Sequence, residues 1–486
     1  MDDEAGQLTA EPSSHLSRRT FLRSSALAGG TVLAVGLAAC GDSSSASPTA
    51  LPMAGPAPDI PVPSTGPVAD PAKGVNFFAQ EDLNFETLFS LGAAGAGTAE
   101  AGEVIATVNQ INAAGPSYQT YYENFVATAE RVGKIADEAL KAGHLVSARS
   151  AYLRSAAYFD AALFVVLGTS TPDREEATYA AMQRQWNLAA QLFDPPFERV
   201  AIPYEGTTMP GYFLKPDSSD TRRPTVIVTN GSDGQNVDTY AYGGAAAIER
   251  GYNALLYEGP GQGSMLFERQ IFFRPDWEKV VSPIVDYLHS RSDVDTAKIA
   301  ITGWSEGGAL VARAAASEHR LAAVVADPGV VDPWLAFPAS LRDLFTPGAT
   351  SSEVNGIWKT YAIPSLTTTD RFDLAKRSEI FARQFLLQAR AGQVLSDVYE
   401  LGQKQMQYKV TDVVERITTP TLVTNYQLES FYPGQAAELY HLLRSTKAYN
   451  TFTIAEGAEY HCAPLAPQRR NQVVFDWLDK TLGQRG

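Results

Sequence analysis

A six-residue turn, Gly303–Gly308, restricts the fold of this chain more than any other feature, and it reads Gly-Trp-Ser-Glu-Gly-Gly. The run before it, Lys298–Thr302, has the composition of a β-strand, and the Ala-rich run after it, Ala309–Ala314, favours a helix. Small residues are needed around Ser305 because larger ones would collide with neighbouring backbone in so sharp a turn. The pattern therefore predicts a nucleophile elbow that holds the Ser305 hydroxyl above a sheet.

Short apolar runs recur after Pro196 and are separated by turn clusters or by helical sequence. The strands predicted from them are residues 198–204, 211–214, 225–229, 253–257, 298–302, 322–326, 421–424 and 451–454. Helices are predicted around residues 277–288, 435–443 and 471–482. Apolar strands interleaved with helices indicate a mostly parallel sheet covered on both faces. Together with the elbow, this predicts the α/β class and an α/β-hydrolase fold.

Two further regions are predicted to be helical. In residues 76–195 apolar side chains recur at intervals of three and four, as in the stretch 121–135, which predicts a helical accessory domain. In the predicted hydrolase domain, residues 196–486, the strand pattern lapses between Pro333 and Arg416. We interpret that segment, about residues 333–416, as an inserted helical lid. A chain of this length is expected to form two domains.

The N-terminal segment has the features of an export signal. Ser17–Arg23 contains a twin-arginine pattern, and the apolar run Ser24–Ala39 is about four residues too short to span a bilayer as a helix. The run ends in Leu-Ala-Ala before Cys40, which resembles a lipobox. Residues 1–40 are therefore interpreted as a twin-arginine signal with Cys40 as the lipidation site. An ordinary cleavage site that carries a cysteine is the alternative.

Composition restricts location and partners. Residues 41–75 are rich in Ser, Pro, Ala and Gly and are predicted to form a flexible tether. We expect the mature protein on the outer face of a bacterial cell membrane, with the lipid as its only membrane contact. The net charge of −15 argues against nucleic acid as a partner. Once Cys40 is acylated, Cys462 has no disulfide partner. The oligomeric state, with a homodimer among the options, is left open.

The catalytic partners of Ser305 are expected in the chain order serine, acid, histidine. Of the six histidines, His461 alone follows the last predicted strand, so it is the predicted general base. Glu429 follows the preceding strand in a loop that ends at Pro433, and it is the predicted acid that orients the imidazole. Asp327, directly after the strand that follows the elbow, is the alternative acid.

An oxyanion hole needs two fixed N–H donors aimed at the substrate oxygen. The backbone amide of Glu306 is one predicted donor, because it follows the nucleophile. The other is predicted in the loop 230–234, at Ser232. The side chain of Glu306 is interpreted as structural or as an acid at the entrance of the site.

No cofactor or metal is predicted. The stretch Gly259–Gly263 superficially resembles a phosphate loop but lacks the lysine and the hydroxyl residue that such a loop needs. Its glycines more simply let a loop after a strand approach the active site. The sequence contains no Cys/His cluster with metal-ligand spacing, and the pair His461–Cys462 is too isolated to form one.

Motifs from about residue 80 to the end of the chain resemble those of one family. They are residues 121–131, 144–158, 202–207, 250–253, 258–263, 274–278 and 456–458. Together they resemble the α/β-hydrolases that include 2,6-dihydroxypseudooxynicotine hydrolase and the fungal heptaketide-shortening hydrolases of pigment biosynthesis. The resemblance implies a serine triad, matched by Ser305 and His461, that cleaves carbon-carbon bonds next to ketones. It also implies a substrate held between the helical domain and the hydrolase core. Glu429 stands where the family usually has aspartate.

The combined prediction is a serine hydrolase that acts on a small carbonyl substrate by ester hydrolysis or by retro-Claisen carbon-carbon cleavage. Both reactions pass through an acyl-enzyme and an oxyanion hole, so the triad does not separate them. One alternative is a peptidase like prolyl oligopeptidase, disfavoured because the N-terminal region is helical where that family carries a β-propeller. The other is a non-catalytic surface binding protein on a hydrolase scaffold, which the intact Ser305 and His461 disfavour.

Overall fold

The computed structural model describes residues 76–484. The predicted signal, the tether and Cys40 lie outside the described residues. The N-terminal part consists of helices α1 (Glu81–Gly92), α2 (Ala101–Ala114), α3 (Tyr118–Lys141), α4 (Leu145–Val165) and α5 (Glu175–Gln191).

Helices α3 and α4 form the centre of this helical part. A capping box begins α3, since the Ser117 hydroxyl accepts from the Thr120 N–H and the Thr120 hydroxyl accepts from the Ser117 N–H. Tyr121 and Phe125 on α3 are fully buried, with ring centroids 4.5 Å apart. The segment Leu145–Gly168 is long and apolar enough to cross a membrane, but 72% of its apolar window is buried inside the protein, as expected of a core helix.

A single eight-stranded sheet follows. Its strands are β1 (Glu198–Tyr204), β2 (Thr207–Leu214), β3 (Arg223–Thr229), β4 (Asn253–Tyr257), β5 (Val294–Trp304), β6 (Ala323–Asp327), β7 (Thr421–Tyr426) and β8 (Lys447–Phe452). The order is β1-β2-β4-β3-β5-β6-β7-β8. Strand β2 is antiparallel to both of its neighbours, and all the other pairs are parallel. The predicted α/β-hydrolase fold is confirmed, because parallel strands of this order are covered by helices.

The last predicted strand was misplaced by four residues. The prediction began at Thr451, whereas β8 begins at Lys447, which pairs with Thr421 of β7. Strand β8 lies at the edge of the sheet and is only partly buried, so polar residues such as Asn450 interrupt its apolar pattern. An apolar run is therefore a weaker guide at the edge of the sheet than at its centre.

Helices connect the strands and cover the sheet. After β3 the described helices are α6 (Asn236–Thr239), α7 (Ala245–Glu249), α8 (Gly263–Phe267), α9 (Glu278–His289), α10 (Gly307–Ala315), α11 (Ala339–Arg342), α12 (Ser351–Ile357), α13 (Thr368–Ser378), α14 (Arg383–Arg390), α15 (Val398–Gln405), α16 (Gln435–Leu442) and α17 (Pro467–Leu482). Short 3₁₀ and π turns join several of them. Helices α11 to α15 all lie between β6 and β7, in the segment interpreted from sequence as a lid.

The segment between β6 and β7 packs against the N-terminal helices. The Phe372 ring of α13 has its centroid 4.5 Å from that of Tyr118 and 5.8 Å from that of Phe164. Arg390 of α14 donates to the buried carboxylate of Glu175 at 2.8 Å. These contacts join α13 and α14 to the helical part, and the two segments together cover the carboxyl end of the sheet.

Candidate active site

The elbow holds Ser305 in a left-handed conformation between β5 and α10. Ser305 has φ +59°, and its N–H donates to the Asp327 carbonyl at 2.8 Å. A Cβ on Gly303 would lie 2.0 Å from the carbonyl oxygen of Gly307, and a Cβ on Gly308 would lie 2.0 Å from that of Pro328. These distances are far below van der Waals contact, so the turn requires glycine at both positions. The predicted elbow geometry is present.

Ser305, His461 and Glu429 form a continuous hydrogen-bonded chain. His461 Nε2 lies 2.8 Å from Ser305 Oγ, and His461 Nδ1 lies 2.7 Å from Glu429 Oε2 and 2.9 Å from Glu429 Oε1. The histidine and the glutamate are 4% and 3% exposed. This burial limits competition from water for the two hydrogen bonds. The geometry can move a proton from the serine hydroxyl to an imidazole whose other nitrogen faces a carboxylate.

Backbone amides fix the Glu429 carboxylate. Glu429 Oε1 accepts from the N–H of Phe431 at 2.9 Å and from that of Tyr432 at 3.1 Å. The backbone next to Glu429 is bonded to the loop that contains His461, since the Leu428 N–H donates to the Glu459 carbonyl at 2.9 Å. The loops after β7 and β8 are thereby tied together, which sets the distance between the acid and the base.

Asp327, the alternative acid, belongs to a separate buried ion pair. Its Oδ2 accepts from Arg470 Nε at 2.6 Å, and its Oδ1 accepts from the hydroxyls of Thr424 and Tyr426. Asp327 is fully buried, and within the described residues it makes no hydrogen bond to His461. Of the two candidate acids, the structure therefore places Glu429 against the histidine.

The loop after β3 approaches the nucleophile closely. A Cβ on Gly231 would lie 2.9 Å from Ser305 Cβ and 3.2 Å from the backbone nitrogen of Glu306. The Gly231 N–H is already engaged by the Asn230 side chain at 2.8 Å. Within the described part of the chain, the N–H groups of Ser232 and Glu306 donate to no protein acceptor. Both amides are therefore free to donate to a substrate oxygen.

A cavity opens above Ser305 and is walled by three parts of the chain. Its volume is about 100 Å³. The N-terminal helices contribute Phe85 and Phe164, and α13 contributes Phe372 and Arg377. The hydrolase core contributes the nucleophile, the base and the loop after β3. An apolar enclosure with a few polar groups is the usual form of a small-molecule site.

Sequence reasoning missed the charged wall of this cavity. Asp160 on α4 and Asp238 on α6 both line it, and burial raises the pKa of each carboxyl. Asp373 on α13 also lines it, and burial raises its pKa to about 6. These acids lie on separate elements more than seventy positions apart in the chain. No local pattern could have grouped them.

Glu306 is a buried acid next to the nucleophile. Burial, reinforced by the nearby charge of Asp233 and opposed by that of Arg377, raises the pKa of the Glu306 carboxyl to about 8. Within the described residues its Oε1 accepts no hydrogen bond. The carboxyl is therefore held mainly in the neutral form at pH 7, which fits a structural role for this side chain.

Glu306→Gln is expected to change the pH dependence of stability. The raised pKa keeps the proton on the folded protein. The contribution of Glu306 to folding stability is therefore fully present below pH 4.5 and is lost as pH rises towards 8. Glutamine does not ionise, so the Tm of the variant should rise relative to that of the wild type across that range. Above pH 8 the variant should have the higher Tm by about 5 °C. Thermal unfolding of both proteins from pH 5 to 9 measures this. A Tm difference that is constant with pH would contradict the assignment.

Metal ligation has no support in the described structure. Among residues 76–484, no group of three or more His, Cys, Asp or Glu side chains is placed to hold a metal ion. Cys462, next to His461, is buried and forms no disulfide within residues 76–484, and burial raises the pKa of its thiol. The absence of a cofactor stays a prediction.

Fold and site together define an enzyme of the α/β-hydrolase class. The chain is 30% identical over 426 residues to hydrolase LUC6 of a Fusarium species, an alignment that covers 84% of this chain and 98% of that protein. It is also 30% identical over 301 residues to the 20-hydroxy-prefusarin hydrolase of Gibberella moniliformis, covering 60% of this chain and 71% of that one. The chain belongs to the family of α/β-hydrolases that contains these fungal hydrolases. The predicted resemblance to fungal hydrolases is confirmed.

Two further comparisons agree with the fold. The solved structure of 2,6-dihydroxy-pseudo-oxynicotine hydrolase matches with a TM-score of 0.58 at 22% identity, covering 81% of this chain and 97% of that one. At this identity the match shows the fold alone. The model of the prolyl oligopeptidase family matches residues 281–364 only, the part of the chain that contains the elbow.

Proposed function

We propose that this hydrolase cleaves a small carbonyl substrate with Ser305 as nucleophile, His461 as general base and Glu429 as the group that orients the imidazole. The observation that carries the proposal is the hydrogen-bonded chain from Ser305 Oγ through His461 to Glu429, with distances of 2.8 and 2.7 Å. The bond cleaved is an ester or a carbon-carbon bond next to a ketone.

The proposed reaction has two halves. His461 Nε2 takes the proton of Ser305 as Oγ attacks the substrate carbonyl, and the carboxylate of Glu429 stabilises the imidazolium that forms. The amides of Glu306 and Ser232 donate to the developing oxyanion. His461 then gives the proton to the leaving group, and an acyl-enzyme remains. Water activated by His461 releases the acid and restores Ser305.

Labelling with a fluorophosphonate tests this proposal. The probe reacts with an activated serine, so we expect stoichiometric labelling of the purified protein and recovery of the label on the peptide that contains Ser305. Heat-unfolded protein is the control, since activation depends on the folded triad. An unlabelled native protein, or a label on another residue, would contradict the proposal.

A peptidase is the second candidate function, and the match of residues 281–364 to the prolyl oligopeptidase family favours it. The match covers the elbow, which peptidases and esterases share. The described N-terminal part is helical and contains no β-propeller, and its helices help to wall the cavity above Ser305. A screen that includes peptidyl nitroanilides beside aryl esters and β-diketones separates the two, and cleavage of the anilides alone would favour the peptidase.

We also propose that the protein is exported by the twin-arginine pathway and anchored through a lipid on Cys40. The sequence patterns at residues 17–23 and 37–40 support this proposal. In a bacterial host, Arg18→Lys with Arg19→Lys should retain the precursor inside the cell, and Cys40→Ala should abolish incorporation of a fatty-acid analogue. A mature protein without the label, or one that begins at another residue, would show the cysteine to be coincidental.

A further inference from the structure

Helix α13 places an arginine in the catalytic cavity. The guanidinium carbon of Arg377 lies 5.2 Å from the ring centroid of Phe431, a cation-π contact. The Phe431 ring in turn lies 4.7 Å from the His461 ring, centroid to centroid, and its backbone N–H donates to Glu429. Arg377 is therefore held one aromatic ring away from the proposed general base, on the wall of the cavity that contains Ser305.

The guanidinium of Arg377 lacks an ion-pair partner. Within the described residues no carboxylate oxygen lies within 4.0 Å of it, and it makes no hydrogen bond to protein. Two neighbouring cations differ, because Lys376 pairs with Glu379 at 2.9 Å and Arg390 pairs with Glu175 at 2.8 Å. A partly buried arginine normally uses its five donors, so Arg377 has donors left for a substrate.

Nearby acids hold Arg377 in its charged form from a distance. Burial alone would lower the pKa of the guanidinium, but the charges of Asp373 and Asp233 raise it. Both carboxyls line the same cavity, as do those of Asp160 and Asp238. The cavity thus contains one unpaired cation beside the triad and acids farther around its wall.

We propose that Arg377 binds the oxygen of the leaving group when that group departs as an enolate, which makes it a catalytic residue for carbon-carbon cleavage. The inference rests on the proposed function and concerns its carbon-carbon reaction, in which the substrate is a 1,3-dicarbonyl compound. Such a substrate has a second carbonyl group, and one carbon atom separates it from the carbonyl carbon that Ser305 attacks. A guanidinium binds an anionic oxygen more tightly than a neutral one, so the contact strengthens in the transition state.

Ser305 Oγ bonds to one carbonyl carbon and passes its proton to His461. The tetrahedral intermediate then breaks the carbon-carbon bond, and the electron pair moves to the neighbouring carbon and on to the second carbonyl oxygen, giving the enolate at Arg377. His461 returns the proton to the enolate carbon, and a ketone leaves. Water then hydrolyses the acyl-enzyme to a carboxylic acid, so the sum is diketone plus water to ketone plus acid.

Ester cleavage does not need a cation at the leaving group. An alkyl ester releases an alcohol oxygen that takes the proton of His461 directly, and no enolate forms. Loss of the guanidinium should therefore harm carbon-carbon cleavage selectively. Dibenzoylmethane and ethyl benzoate form the same benzoyl-enzyme and differ only in the leaving group, so they isolate the step in which Arg377 acts.

The experiment compares Arg377→Met with the wild type on these two probes. We expect kcat for dibenzoylmethane to fall by about a hundredfold, as for loss of one donor to a developing oxyanion, and kcat for ethyl benzoate to stay within about threefold. Arg377→Lys should recover part of the loss because it keeps the charge without the planar fork. Arg371→Met, an exposed arginine of the same helix, is the matched control and should leave both rates unchanged.

Each other outcome overturns the inference. Equal losses on both probes would show that Arg377 is structural, and no loss on either would show that it does not meet the substrate. Hydrolysis of ethyl benzoate by a wild type that does not cleave dibenzoylmethane would leave the proposed hydrolase intact and remove the enolate role. Inactivity on both probes together with absent fluorophosphonate labelling would overturn the proposed function itself.

Discussion

Ser305→Ala is expected to lower kcat by about three orders of magnitude or more while leaving the fold intact. The methyl group of alanine fits where the serine Cβ now lies, and the turn keeps its Ser305 N–H bond to the Asp327 carbonyl. The loss is large because no other group can form the acyl-enzyme, although the oxyanion donors and the cavity stay in place. Steady-state turnover with an aryl ester and thermal unfolding measure the two effects.

Ser290→Ala is the matched control for that substitution. Its hydroxyl donates to the carbonyl of Tyr287 on the surface, at the end of α9, so removing it should change neither turnover nor Tm appreciably. Near-wild-type turnover in Ser305→Ala would overturn the serine mechanism. A comparable loss in the control variant would point instead to a general effect on folding.

Glu429→Gln is expected to lower kcat by about four orders of magnitude with little change in KM. Glutamine is close in shape, but it cannot stabilise the imidazolium, and its amide can favour the wrong tautomer of His461. The N–H groups of Phe431 and Tyr432 that now donate to Glu429 Oε1 should still fix the side chain. Stability should therefore change little while chemistry is lost.

Asp327→Asn is the counterpart that separates the two candidate acids. It removes the charge that pairs with Arg470, whose side chain is 1% exposed, so it leaves a buried cation without its partner. Breaking such a pair costs about 3 kcal/mol of folding free energy. Turnover per folded molecule should stay near the wild type, because Asp327 does not contact His461. Unfolding and turnover at equal folded concentration measure both, and the reverse ranking of the two variants would move the acid to position 327.

Much of the fold could be predicted from local sequence. Strand β4 has the predicted bounds, Asn253–Tyr257, because a fully buried strand is a continuous apolar run between turns. The edge strand β8 was misplaced because it is only partly buried. The elbow was predictable because Gly303 is required by a contact with Gly307 in the same short turn, whereas the contact that requires Gly308 is made with Pro328, outside the turn.

The candidate site was only partly predictable. Chain order and position after the last strand were enough to single out His461. The choice between Glu429 and Asp327 was open because both follow strands of the same parallel sheet. Only the folded chain shows that Arg470 occupies one carboxylate and His461 the other.

By itself, the sequence determined the elbow, the alternation that builds a parallel sheet, and the residue types able to act as nucleophile and base. Each is a local property, set by strand and helix periodicity or by sterics within a few residues. Tertiary structure decided the acid, the cavity wall and the unpaired state of Arg377. Those depend on which side chains of distant elements meet. Arg390 pairs with Glu175, 215 positions earlier in the chain, and no short pattern encodes such a contact.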